Sequence, residues 1–313
     1  MEFSFEGKFV STTWNDRFGG WAQSPRTTET NKIENAITAI KKALGADPKV
    51  ASVCRVFVQG SYRNRVNVRQ ESDVDIGVLY TGNVFLTDYP DGRGHADFGN
   101  VNATYSYADF KNDIGKALTA HFGKAHVTRG NKAFDVHENT YRIDADVVPL
   151  LVHRRYSTVG TYICGTELQP DSGGRIVNWP ERLYDTPEWP NQHYENGNGK
   201  NNDTRRAYRG VVRIIKKLRI IMDEEGVAEA NPLKGFNVEC LVWNAPNSCF
   251  THATWYEDVS AVLNHLSTHL SSMALCDEWG EVSEWKYLLK GHEAKRVQFK
   301  AFVERARKHI GIT

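Results

Sequence analysis

Apolar residues recur every three or four positions at Ile33, Ala36, Ile37, Ile40 and Leu44 in TETNKIENAITAIKKAL, residues 28–44, which predicts an amphipathic helix with polar residues at its start. The period then shortens to two. In RVFVQGS, 55–61, Val56 and Val58 alternate with Phe57 until Gly60 breaks the run, so a short strand ending in a turn is expected. DVDIGVLY, 73–80, alternates again, with Val74, Ile76 and Val78 on one face and Asp73, Asp75, Gly77 and Leu79 on the other. Two carboxylates two residues apart on a strand point the same way. Residues 83–104, rich in Gly, Asp, Asn and Pro, read as a loop, and 107–123 carry the helical period through Phe110, Ile114, Leu118 and Phe122. Residues 133–156 read as two strands, the second running from Ala145 to Val152 with Asp144 and Asp146 on its opening edge.

Beyond this point the pattern changes. Residues 157–204 read as loop, with DSGG at 171–174 and HYENGNGKNN at 193–202, and so long an irregular segment is usually functional or mobile. From Thr204 a helical face returns through Tyr208, Val211, Val212, Ile215, Leu218 and Met222, with Lys216, Lys217 and Arg219 nearby. Further helices are predicted at 236–245, 255–270 and 294–310, and no internal repeat interrupts them. The expected class is α+β, with a mixed α/β core in residues 1–160 and a loop-rich connection plus helical lobe in 161–313.

Composition narrows the partners. With 313 residues, 40% of them hydrophobic, the chain can bury a full core, and 39 Lys plus Arg against 38 Asp plus Glu leave a net charge of +1. No global field draws the protein to nucleic acid or an anionic membrane, so any phosphate binding must be local. No run approaches the roughly 20 apolar residues of a membrane span, and Glu2 and Glu6 stand where a secretory signal would be basic or apolar. A cytoplasmic protein is expected. Cys54, Cys164, Cys240, Cys249 and Cys276 are odd in number and spread out, which argues against a disulfide framework and a structural zinc site.

The acidic positions point to phosphoryl or nucleotidyl transfer. That chemistry requires a polyanionic donor to be held, charge on the attacking and leaving oxygens to be neutralised, and the two to be aligned. Two divalent cations roughly 3.5 to 4 Å apart do this when several carboxylates converge on them from rigid elements. Asp73 and Asp75 on one strand face, joined by Asp146 on a neighbouring strand, would supply the oxygens. Gly60 and Ser61 would add backbone N–H groups and a hydroxyl for the donor's phosphates, because glycine lets the backbone approach closely. Two Asp on an exposed strand face also arise by chance. The combination of Gly-Ser ending one strand, SDVD opening the next and DADVV in a third fits one geometry. Asp144 has the same parity as Asp146 and competes for the third place, and Asp146 is favoured because it abuts the apolar run Val147–Val152. His137 and His193 read as structural or surface groups, and Arg63, Arg65 and Arg69 as a solvated loop.

GSYRNRVNVRQESDVDIGV, residues 60–78, resembles the core of the polymerase β-type nucleotidyltransferases, specifically the bacterial cGAS/DncV-like nucleotidyltransferases. RIDADVVPL (142–150), GRIVNWPERL (174–183), HYENGNGKNNDT (193–204), IIKKLR (214–219) and FNVECLVWNAP (236–246) resemble its CdnE clade, so that the resemblance spans nearly the whole chain. The resemblance implies a nucleotidyltransferase core and a helical C-terminal lobe, with the active site in the cleft between. It implies two Mg2+ ions, with Mn2+ as a substitute, on Asp73, Asp75 and Asp146, and the donor triphosphate on Gly60 and Ser61. Two nucleoside triphosphates would be joined through a linear intermediate and closed into a cyclic signal for a separate antiphage effector.

Lys216 falls where the family places a phosphate-binding lysine on the helical lobe; a solvated helix charge beside Lys217 is the other reading. Asn178 falls where relatives place a residue associated with pyrimidines, and an amide that both donates and accepts suits uracil. A turn-shaping Asn is the alternative there. Phe236 would stack on a base. The chain departs from the family at Val66, where a Thr is common, and at Gly235-Phe236, where a Ser-Tyr pair is common. The expected product contains uracil, made from UTP with or without ATP; a purine cyclic di- or trinucleotide, or transfer to an RNA, protein or small-molecule acceptor, is the alternative. A catalytically silent nucleotide sensor would have no use for three mutually repelling acids. Without a Cys/His cluster or a basic field, no DNA activator is expected.

Overall fold

The computed structural model describes residues 5–69, 73–178 and 192–312. Residues 70–72 of the first motif and Trp179-Pro180 of the Asn178 segment lie outside the described residues. In chain order the elements are α1 (Phe5–Trp21), α2 (Thr27–Gly45), α3 (Pro48–Ala51), β1 (Cys54–Val58), α4 (Gly60–Arg63), β2 (Val74–Tyr80), β3 (Phe85–Asp88), α5 (Tyr107–Phe122), β4 (Val127–Arg129), β5 (Phe134–Val136), β6 (Ala145–Tyr156), β7 (Tyr162–Leu168), β8 (Ile176–Asn178), α6 (Gln192–Asp203), α7 (Ala207–Glu224), α8 (Gly235–Trp243), α9 (Trp255–His269) and α10 (Glu293–His309).

By contacts the chain groups into two units, residues 26–63 with 73–192, and residues 1–25 with 64–72 and 193–313. A cut at residue 160 would fall in the turn between β6 and β7, whose ladder ties both strands into one sheet.

The first unit is built on β6. Its opening half pairs parallel with β2 and antiparallel with β5, and its closing half pairs with β3 and β7. β1 extends the sheet beyond β2, β4 beyond β5, and β8 beyond β7. The expected alternation holds at the start of β2, where Val74 and Ile76 are buried and Asp75 is half-buried; from Gly77 to Tyr80 both faces are covered, and Val78 and Leu79 are buried alike. Val74, Ile76 and Val78 share one core with Ile33, Ile37 and Ile40 of α2 and Phe110, Ile114 and Leu118 of α5. Period two then sends Asp73 and Asp75 to the opposite face.

The second unit is helical, and α7 runs through it. Tyr208, Val211, Ile215, Leu218 and Met222 are buried in one core with Phe18 of α1, Val262 of α9 and Phe302 of α10. Among the described residues no helix is long and apolar enough to cross a membrane.

Several expected loops contain regular structure. The stretch 83–104 holds β3, and 157–204 holds β7, β8 and α6. β3 and β8 are too short to display a period, and α6 buries His193, Gly197 and Asn201, a stripe spaced by four that carries no apolar side chain. The helix α1 escapes expectation because its aromatic positions Trp14, Phe18 and Trp21 are followed at once by a break, although they cluster in space.

Candidate active site

Strand register assembles the acids. Asp75 of β2 stands opposite Asp146 of β6, and Asp146 stands opposite Asp135 of β5. Side chains of directly paired residues share a face. Three carboxylates on three adjacent strands, each about 4.8 Å apart, therefore form one row. One position earlier, the Val74 N–H donates to the Asp144 carbonyl at 3.1 Å, which brings Asp73 and Asp144 alongside each other in the same parity. Asp135 was not among the expected residues.

The electrostatics record this crowding. Partial burial, followed by the charges of Asp73, Asp135 and Asp144, pushes the Asp146 carboxyl up to about 6. Asp73 is raised as well, by loss of solvation and then by Asp144 and Asp135. A divalent cation fits this set, because hard carboxylate oxygens that repel one another are what Mg2+ or Mn2+ would neutralise. Asp135, His137 and Asp144 each bring a ligand atom within 4.8 Å of the others. Their atoms have other work. Asp144 Oδ1 accepts from the Glu138 N–H at 2.6 Å, and His137 Nε2 lies 2.9 Å from Thr128 Oγ1. Of the two candidates for the third place, Asp146 stands in the row with Asp75 and Asp144 stands one step off it.

Gly60 is fitted to the acids by what it lacks. Its φ is +66°, a conformation natural to glycine, and a Cβ there would collide with the Asp75 carboxylate. The neighbouring Gln59 N–H donates to the Asp75 carbonyl at 2.9 Å. Gly60 and Ser61 open the turn α4 directly against the acid-bearing strand.

Asn178 is the last residue of β8 and pairs with Thr166, which pairs in turn with Val152 of β6. It is six residues along β6 from Asp146 and has the same parity, so the amide and the acid row share one face of the sheet. Asn178 is 8% exposed, and its amide makes no hydrogen bond to any of the described residues. A nearly buried amide without a side-chain hydrogen bond among the described residues is a group that a ligand could satisfy.

Two expected residues belong to the helical unit. Lys216 is buried, unlike a solvated helix charge, with Nζ 3.3 Å from Glu239 Oε2 and 3.4 Å from the Val66 carbonyl. Glu239 also meets His193 Nε2 at 2.8 Å. Burial opposes the charge on Glu239, yet Lys216 and His193 hold its carboxyl down at about 2. Phe236 is partly buried, with its ring 6.1 Å from that of His193. His193 is thus a structural group, as expected, and the segment 64–69 is anchored instead of solvated: Arg213 donates to the carbonyls of Ala22 and Arg65, and Arg69 to that of Ser24.

Residues 195–311 match the family described as the cGAS/DncV-like nucleotidyltransferase C-terminal helical domain. The chain is 38% identical over 307 residues to a cyclic dipyrimidine nucleotide synthase CdnE of Legionella pneumophila, covering 96% of this chain and 99% of the relative. It is 37% identical over 278 residues to a synthase of the same description from Cecembia lonarensis, covering 88% and 90%. Among solved structures it is similar to a CdnE cyclic dinucleotide synthase of Elizabethkingia meningoseptica with GTP and Apcpp, at a TM-score of 0.75 and 31% identity over 95% of this chain and 98% of that one.

Proposed function

Because the chain belongs to the cGAS/DncV-like nucleotidyltransferases, in their CdnE-like group, we propose that it is a cyclic dinucleotide synthase whose product contains uracil, made from UTP with or without ATP. The observation that carries the chemistry is the register row of Asp75, Asp146 and Asp135 with Asp73 beside it.

In each half-reaction a ribose hydroxyl of one nucleotide attacks the α-phosphorus of the other. The bond to the β-phosphate oxygen breaks and pyrophosphate leaves; two such steps close the ring. Asp73, Asp75 and Asp146 would hold the divalent cations. Bound there, Mg2+ supplies charge neutralisation on the triphosphate and a lowered pKa for the attacking hydroxyl. Asp146, in the row with Asp75, is the carboxylate placed to receive the hydroxyl's proton. Gly60 leaves room for the Asp75 carboxylate, and Ser61 offers its N–H and hydroxyl to the donor's phosphates. Lys216 and Phe236, the phosphate cation and stacking ring that the resemblance implies, belong to the helical unit, where Lys216 is already paired with Glu239.

Family membership leaves the base open, since the relatives named for pyrimidines and the neighbour solved with GTP share the fold. Asn178 supports uracil: its nearly buried amide has the same parity as the acid row and can both donate and accept, as uracil's edge requires. The product then acts as a signal to a separate effector protein.

Incubation with labelled nucleoside triphosphates and Mg2+ or Mn2+, followed by phosphatase and mass spectrometry, should give a resistant cyclic product containing uracil. EDTA and the double variant Asp73→Asn with Asp75→Asn should each abolish it while circular dichroism stays unchanged. Only linear or purine-only products would overturn the pyrimidine reading, and an unaffected Asn variant would overturn the site.

A further inference from the structure

Among the described residues, the three-residue strand β8 has its ladder to β7 and to no other strand. So short a strand has little of its own to hold it in place. Behind it lies a chain of charged groups drawn from four segments. Arg175, the residue before β8, places Nη1 2.6 Å from Asp88 Oδ1 at the end of β3. Asp88 Oδ2 lies 3.2 Å from His153 Nε2 on β6, a close approach without hydrogen-bond geometry, and His153 Nδ1 is 2.7 Å from Glu167 Oε2 on β7. Gln169 donates to the other oxygen of Glu167 at 3.0 Å. His153 and Glu167 are 0% and 1% exposed, so this is an interior network with an exposed arginine at one end.

Register fixes which way the network faces. Glu167 pairs with Val177, and Leu86 pairs with His153, so Asp88, His153 and Glu167 have the parity opposite to that of Val152, Thr166 and Asn178. The charges brace β8 from the back of the sheet, and the Asn178 amide stands on the front with the acid row. Asp88 remains ionised against the cost of burial because Arg175 and His153 offset it. Nothing in the nucleotidyl transfer itself uses these four residues, and a three-residue strand gains little positional restraint from its ladder.

We propose that the Arg175–Asp88–His153–Glu167 chain is the positioning device for the Asn178 amide, so that nucleobase choice depends on residues that never touch the nucleotide. The proposal rests on the reading that Asn178 meets the base.

The test uses the full chain with Mg2+, UTP and ATP, and compares Arg175→Met, Arg175→Lys, Asp88→Asn, Asn178→Ala and the double variant Arg175→Met with Asn178→Ala. Asn178→Ala should lower kcat/KM for UTP by about tenfold, with a smaller effect on ATP. Arg175→Met should raise KM for UTP by roughly three- to tenfold at nearly constant kcat. Arg175→Lys should restore part of that loss, and Asp88→Asn, which keeps the side-chain shape, should reproduce it. In the Asn178→Ala background Arg175→Met should add nothing further. Full additivity in the double variant, or an equal loss of kcat with both nucleotides, would overturn the positioning role. An unchanged product in Asn178→Ala would instead overturn the base reading on which it stands.

Discussion

A single missing methyl sets the geometry of the acids. Gly60 turns the chain with φ +66° against the Asp75 carboxylate, and any Cβ must either displace that carboxylate or the turn. Gly60→Ala should therefore lower turnover by about 100-fold or more, since misplacement of roughly 1 Å at a reacting centre costs that much. The far-UV spectrum should match the wild type, and unchanged turnover would sink the idea. Asp73, Asp75 and Asp146 could be read from the sequence because strand alternation is a local property: each stands two residues from the next acid or beside an apolar run. Asp135 could not. Its strand has three residues, and its place in the row follows from antiparallel pairing with β6, which no local pattern announces. The position of Lys216 was likewise visible but its burial was not, because the partner that makes burial tolerable, Glu239, lies on another helix.

Long helices with an apolar stripe, α2, α5, α7, α9 and α10, announce themselves by period. Elements whose stability comes from polar contacts do not. α6 buries His193 and Asn201, which bond Glu239 and the Arg209 N–H, so its inward face has the composition of a loop. The segment after β7 is fixed in the same manner. Lys111 of α5, fully buried, donates to the carbonyls of Gly130 and Asn131 and pairs with Asp171 at 3.0 Å. Arg129 grips Asp171 through Nε and Nη2 at 2.8 and 3.0 Å. The Arg129 bonds, with Lys111 beside them, hold the Asp171 carboxyl at about 2, opposed only by slight burial. Its folded-state value thus lies below the unfolded value of about 4, so its contribution to stability is present above pH 4 and is lost as pH falls towards 2. Urea midpoints measured between pH 4.5 and 2.5 should fall more steeply for the wild type than for Asp171→Asn. Parallel slopes would count against the clamp.

At the scale of the molecule the chain does not divide where its character changes. Residues 64–72 group with the helices although Gly60-Ser61 precedes them and Asp73 follows, because Arg213 of α7 binds the Arg65 carbonyl and Lys216 meets that of Val66. Such interleaving is set by contacts between distant segments and leaves no mark in composition. The helical unit is stitched at its centre by Lys216, Glu239 and His193, drawn from α7, α8 and α6. Removing the one anion leaves a buried ammonium without its counter-charge, and Glu239→Gln should cost about 3 kcal/mol in unfolding free energy. Chemical denaturation measures this directly, and a change of a few tenths would show the trio to be dispensable. The long strand β6 has a further implication. It carries Asp146 at one end and, through Val152 and Thr166, the register of Asn178 at the other. In the proposed function, twelve residues of unbroken strand set the separation between the metal-binding acids and the amide that would meet the base. A one-residue insertion would turn one end over relative to the other. On that reading the separation is closed to gradual change along the strand, and a different base preference would have to come from the strands that lean on β6.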